Sequence, residues 1–161
     1  MRAGRKPVLC RDRHVLVEHD QVLIRPYQPG DLDDLYRVCL LTSFNGADGT
    51  AMFRDPRLPG HLYAAPYAIF EPSLAMVAQD ADGVAGYLVS ALDSLVFEHR
   101  LERDWWPDLR PLCPEPPAHL AERLSAQERR AIGRIHRPQE TAPELAERFP
   151  SQLAMDLTRT G

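Results

Sequence analysis

The chain has 161 residues, 44% of them hydrophobic and 26% charged, and its 19 basic and 23 acidic side chains give a net charge of −4. That length suits one domain, which buries about 68–70% of its unfolded surface and needs no disulfide or metal staple. The acidic balance argues against nucleic acid as a partner, since a phosphate-binding face needs a basic excess, and equally against an anionic membrane surface.

Residues 1–20 are charged and weakly patterned and read as a loose arm ahead of a folded domain over 21–161. The start, Met1 to Lys6, is basic but no apolar stretch follows it, so it does not read as a signal peptide. Residues 21–26 (QVLIRP) read as a short strand closed by proline. Asp31 stands as an N-cap. Leu32, Leu35, Tyr36, Cys39 and Leu40 then recur at helical spacing, which predicts a helix over 31–42. Asn45-Gly46 and Asp48-Gly49 are turn signals, and the prolines at 56, 59, 66 and 72 limit any helix over 51–72 to short pieces. Residues 74–79 and 84–92 are apolar strands joined by Asp80-Ala-Asp-Gly83, a β-hairpin. Gly86 within the second strand predicts a bulge or a close approach by another backbone.

A helix is expected over 94–106 and a proline-rich connector over 107–117. Ser125-x-x-Glu128 and Thr141-x-x-Glu144 read as capping boxes, the first opening a helix to about His136 and the second a short helix stopped by Pro150. Residues 152–157 (QLAMDL) form a last strand. The order predicts a mixed α/β domain with a largely antiparallel sheet flanked by helices. No apolar run approaches the roughly 18 residues of a membrane span. Cys10, Cys39 and Cys113 form no CxxC pair and read as small buried hydrophobes, which fits a reducing, cytoplasmic setting. The histidines lack HxxH or HExxH spacing, so no metal is expected.

Four stretches carry a family likeness. They are Ile24-Arg25-Pro26 with Gly30-Asp31 and Leu35-Tyr36; Thr42 through Gly46, Asp48 and Thr50 to Tyr63-Ala-Ala-Pro-Tyr67; Gly83-Val-Ala-Gly86-Tyr87 with Ala91 to Ser94 and Trp105-Trp106-Pro107; and Phe149-Pro150-Ser151 with Met155-Asp156-Leu157. In this order they resemble the GNAT-type N-acetyltransferases, in particular the branch related to the acetyltransferase-like C-terminal domain of O-GlcNAc hydrolases. Ser43 and Gly49 depart from that branch, which tends to have Gly and Ala there. The resemblance implies a GNAT-like α/β (α+β) fold and acetyl transfer from acetyl-CoA to an amine, the acceptor being a small molecule or a peptide. It also implies that 152–157 is the family's central fourth strand. After that strand the family has a glycine-rich pyrophosphate loop and a helix, whereas this sequence closes on Thr158-Arg-Thr-Gly161. The expectation is therefore an incomplete domain with weak acetyl-CoA binding. A homodimer or partner chain is expected through the 152–157 edge.

Acetyl transfer needs a proton acceptor for the amine, a donor to the thioester oxygen and a grip on the cofactor. By resemblance, the backbone at Met155 and Leu157 supplies the thioester contact and Asp156 stands where some members place a basic carboxylate; read from the residues alone, Asp156 is a strand carboxylate facing water or pairing with an arginine. Asp93 is a second candidate carboxylate, or the N-cap of the helix at 94. Asp48 reads as a turn residue or an acceptor-site carboxylate, and Tyr63 and Tyr67 as acceptor-pocket walls or sheet packing. The sequence therefore admits an acetyltransferase, a non-catalytic GNAT-like remnant or interaction module, and one half of a split enzyme.

Overall fold

The structure, a computed structural model, describes residues 22–158. The arm over 1–20, Cys10 and the closing 159–161 lie outside the described residues. Four strands, β1 (Leu23–Pro26), β2 (Met76–Asp80), β3 (Gly83–Ala91) and β4 (Gln152–Leu157), form one antiparallel sheet in the order β1-β2-β3-β4. Eight α-helices accompany them among the described residues: α1 (Leu32–Thr42), α2 (Leu58–Tyr63), α3 (Ala65–Phe70), α4 (Ser94–Asp104), α5 (Trp106–Leu109), α6 (Ala118–Ala121), α7 (Ala126–His136) and α8 (Pro143–Arg148). This is the mixed α/β, antiparallel architecture that the pattern predicts.

Asp31 occupies the N-cap position of α1, but its carboxylate does not cap. It accepts from both terminal nitrogens of Arg25, at 2.7 and 2.8 Å, and from the Gln28 amide. The Arg25 hydrogen bonds hold its carboxyl below the usual range despite its burial. The pair's contribution is therefore present at neutral pH and is lost as the pH falls through that depressed pKa. Asn45 and Gly46 both take positive φ, 52° and 81°, and close a tight turn between Phe44 and Ala47. The proline-punctuated stretch does break into short helices, α2 and α3.

The first capping box is realised in part and the second not at all. Ser125 Oγ accepts from the Glu128 amide at 2.9 Å, but the buried Glu128 carboxylate turns away to accept from the Arg54 amide at 3.1 Å. Thr141 caps nothing: its amide and hydroxyl both donate to Glu98 on α4, and α8 starts at Pro143. The helix expected over 94–106 breaks at Trp105, and α5 carries on into the proline-rich stretch because Trp106 and Leu109 are buried.

Two apolar cores hold these elements. One lies between the sheet and α1 and α3, around Leu35, Val38, Val77, Tyr87 and Val89. The other joins α2, α4, α5 and α7 around Leu58, Phe97, Leu101, Trp106 and Ile135. Tyr67 packs against both and stacks on Phe97 with ring centroids 4.4 Å apart. Ile24, Met76, Leu153, Met155 and Leu157 remain exposed.

Gly86 satisfies both of its sequence readings. The β2–β3 register shifts beside it, pairing Ala78 with Gly86 but Gln79 with Val84, so Ala85 is the extra residue. A Cβ at Gly86 would also lie 2.8 Å from the Asp156 carbonyl oxygen and 2.6 Å from Leu157 Cδ1. The substitution Gly86→Ala is expected to lower unfolding stability by about 1–3 kcal/mol, the cost of overpacking against backbone. Urea denaturation followed by circular dichroism reads this, and an unchanged midpoint would show that β4 does not sit so close.

Candidate functional site

The site grows from the pairing of β3 with β4. Alternate residues of a strand point to opposite faces. Ala154 and Asp156 turn toward α1 and are half-buried, while Leu153, Met155 and Leu157 face outward at 68%, 68% and 62% exposure. Asp156 lies directly across from Tyr87. The Tyr87 hydroxyl donates to Asp156 Oδ2 in a short hydrogen bond. Burial, reinforced by Cys39 and Asp156 alongside, pushes the Tyr87 phenol far up, so it stays protonated and serves as the donor. The other carboxylate oxygen has no protein donor among the described residues.

The backbone of β4 adds a second feature. The Thr158 amide donates to the Ala85 carbonyl at 2.8 Å. In an antiparallel ladder every second residue bonds to its partner strand, so Asp156 faces β3 while the N–H groups of Met155 and Leu157 point away from it. The strand thus offers a carboxylate on one face and open donors along its edge. The expectations for Asp156, Met155 and Leu157 fall at this one place.

Beside Asp156 opens a cleft of about 870 Å³. Cys39 of α1 and Ser43 just after it, with Phe44 and Asn45 from the tight turn, form one side. Tyr63 of α2, Arg130 and Arg134 of α7, and Arg137 just after that helix form the other. Tyr63 is 40% exposed, and its hydroxyl accepts from Arg134 Nη1 at 2.6 Å. Tyr67 does not line this cleft; it faces a neighbouring cavity of about 470 Å³ with Glu98, and burial pushes its phenol up to about 12.

The remaining candidates lie elsewhere. Asp93 caps α4, accepting from the Val96 amide at 3.0 Å. Asp48 accepts from the Thr50 amide at 2.8 Å and the Thr50 hydroxyl at 2.6 Å, which lowers its carboxyl pKa. Neither lines either cavity. Sequence reasoning did not give Tyr87 or the α7 arginines a role. Gly86-Tyr87 was visible as a motif, and the arginines recur at helical spacing, but only the fold places them at Asp156. Among the described residues, no three His, Cys, Asp or Glu side chains group as a metal site, and no helix is long and apolar enough to cross a membrane.

Cys39 lines the cleft, yet burial pushes its thiol up to about 12. At pH 8 only about one such thiol in 10⁴ is ionised. Iodoacetamide at pH 8 is therefore expected to leave Cys39 unmodified in the folded protein while the less buried Cys113 reacts faster. Peptide mass spectrometry checks this, and rapid alkylation of Cys39 would contradict the packing described.

No protein-family model matches the chain. Over 135 residues, 83% of its length, the chain is 27% identical to the protein O-GlcNAcases of Rattus norvegicus and Mus musculus. It spans 14% of the length of these relatives. Among solved structures, SsHAT superposes with a TM-score of 0.72 at 31% identity, covering 84% of this chain and 66% of that one. The chain thus has a GNAT-like acetyltransferase fold related to the acetyltransferase-like C-terminal region of O-GlcNAcase.

Proposed function

We propose that this acetyltransferase-like domain moves an acetyl group from acetyl-CoA to an amine at the β4 edge, with Asp156 as the proton acceptor. One observation carries the reading: the Asp156 carboxylate, fixed by Tyr87, and the outward N–H groups of Met155 and Leu157 lie on consecutive residues beside an open cleft. Acetyl-CoA would supply the thioester. The Met155 and Leu157 amides suit an oxygen that gains negative charge, because fixed backbone donors need no reorganisation as that charge builds. Asp156 draws the acceptor's ammonium group and takes its proton. The freed nitrogen bonds to the carbonyl carbon, the carbon–sulfur bond breaks, and the thiolate leaves and takes up the second proton that the nitrogen sheds as it becomes an amide. Tyr87 is a positioning residue, since it reaches the reaction only through Asp156. Asp93 and Asp48, spent on a helix cap and a turn, have no part in this scheme.

The test is to incubate the protein with acetyl-CoA and a panel of amines and to follow acetylated product by mass spectrometry. Asp156→Asn is expected to lower the turnover number by about 10²-fold or more, the usual scale of general-base catalysis, with little change in stability. Turnover unchanged by Asp156→Asn would overturn the role assigned to it.

A second reading, an interaction module or an enzyme working in association with another chain, is supported by the outer side of β4. The strand has no neighbour beyond it among the described residues, and Leu153, Met155 and Leu157 stand exposed there. Such an edge recruits further strands. Sedimentation over a range of concentrations is expected to show self-association that Met155→Lys weakens. A monomer at every concentration would count against this reading.

A further inference from the structure

The arginines of α7 make the cleft a place for acidic ligands. The chain as a whole carries −4. Yet the charged residues lining this cleft are Arg130, Arg134, Arg137 and Asp156, a formal balance of 3 − 1 = +2. The stripe follows from the packing of α7. Glu128, Ala131 and Ile135 are buried against the second core, which leaves 130, 134 and 137 on the cleft side. Arg134 rests against Tyr63, both through its hydrogen bond and with its guanidinium 5.7 Å from the ring centroid. Arg137 reaches Glu115 at 2.6 Å. Arg130 has no hydrogen bond or ion pair among the described residues.

We propose that the acceptor is a lysine within an acidic peptide segment, its carboxylates held by Arg130 and Arg134 while its ammonium group meets Asp156. This rests on the acetyl-transfer reading for the lysine, and on the cleft alone for the carboxylates. The spacing fits an extended chain. Four helical residues advance about 6 Å. Side chains on one side of an extended peptide repeat every 6.6–6.8 Å or so. Guanidinium groups also match carboxylates in a two-point geometry that lysine cannot offer. The cleft thus separates its charges as such a ligand does, negative at the strand and positive along the helix.

The test uses two fluorescein-labelled peptides without acetyl-CoA, each with one central lysine, flanked on both sides by two glutamates or by two alanines. Fluorescence anisotropy is expected to show at least tenfold tighter binding of the glutamate peptide, weakening as salt is raised. The double variant Arg130→Gln with Arg134→Gln is expected to remove that preference, and Arg103→Gln on α4, away from the cleft, to keep it. Equal binding of the two peptides, no binding of either, or a preference that survives the double variant would overturn the proposal. Acetylation is read separately on the same peptides. A glutamate peptide that binds through the arginines but is not acetylated defeats the transfer reading and leaves the acidic-ligand site standing. Equal acetylation of both peptides without a binding preference does the reverse.

Discussion

The absence of a side chain at Gly86 is the constraint on which the site depends. The Asp156 carbonyl and Leu157 crowd into the space that a Cβ would take. Only with that space open can β4 lie in register along β3 and set Asp156 opposite Tyr87. The bulge at Ala85 belongs to the same device. Its carbonyl accepts both the amide and the hydroxyl of Thr158, each at 2.8 Å, which pins the end of β4. The pairing in turn fixes which atoms face outward. A slip of one residue would turn Asp156 to the exposed face and bury Met155 instead.

Around that strand, two separately built cores bring the walls together. The first core supplies α1, with Cys39 and the following Ser43 on one side of the cleft, and the helical core supplies α7 with Arg130 and Arg134. Tyr67 belongs to both cores. Polar ties hold α7 in place. Glu128 on α7 accepts from the Arg54 amide, and the Ser125 hydroxyl donates to the Met52 carbonyl. The Glu128 carboxylate is worth more there than in its own cap, since a buried carboxylate without a donor is costly. The partial capping box is thus a tertiary contact taking precedence over a local one.

This also marks what the sequence could reveal. The helix after Asp31, the turn at Asn45-Gly46 and the hairpin were legible because local rules decide them. Asp156, Met155 and Leu157 were named through the family resemblance, and they lie on β4, at the end of the strand order. Thr141 and Asp31 look like caps in the sequence, but partners outside the helices they would cap, Glu98 and Arg25, claim their side chains. Tyr87 reads as an apolar strand residue until β4 is laid beside it, 69 residues later. The α7 arginines have the pattern of any solvated helix face, and only the cleft distinguishes them.

The most direct measurement is an NMR titration of the isotope-labelled protein with acetyl-CoA, followed through its backbone amides. If the β4 edge receives the thioester, the amides of Met155 and Leu157 shift most and saturate together, while those of the β1 edge stay still. Shifts that leave Met155 and Leu157 unmoved, or that gather at another surface, would contradict the account.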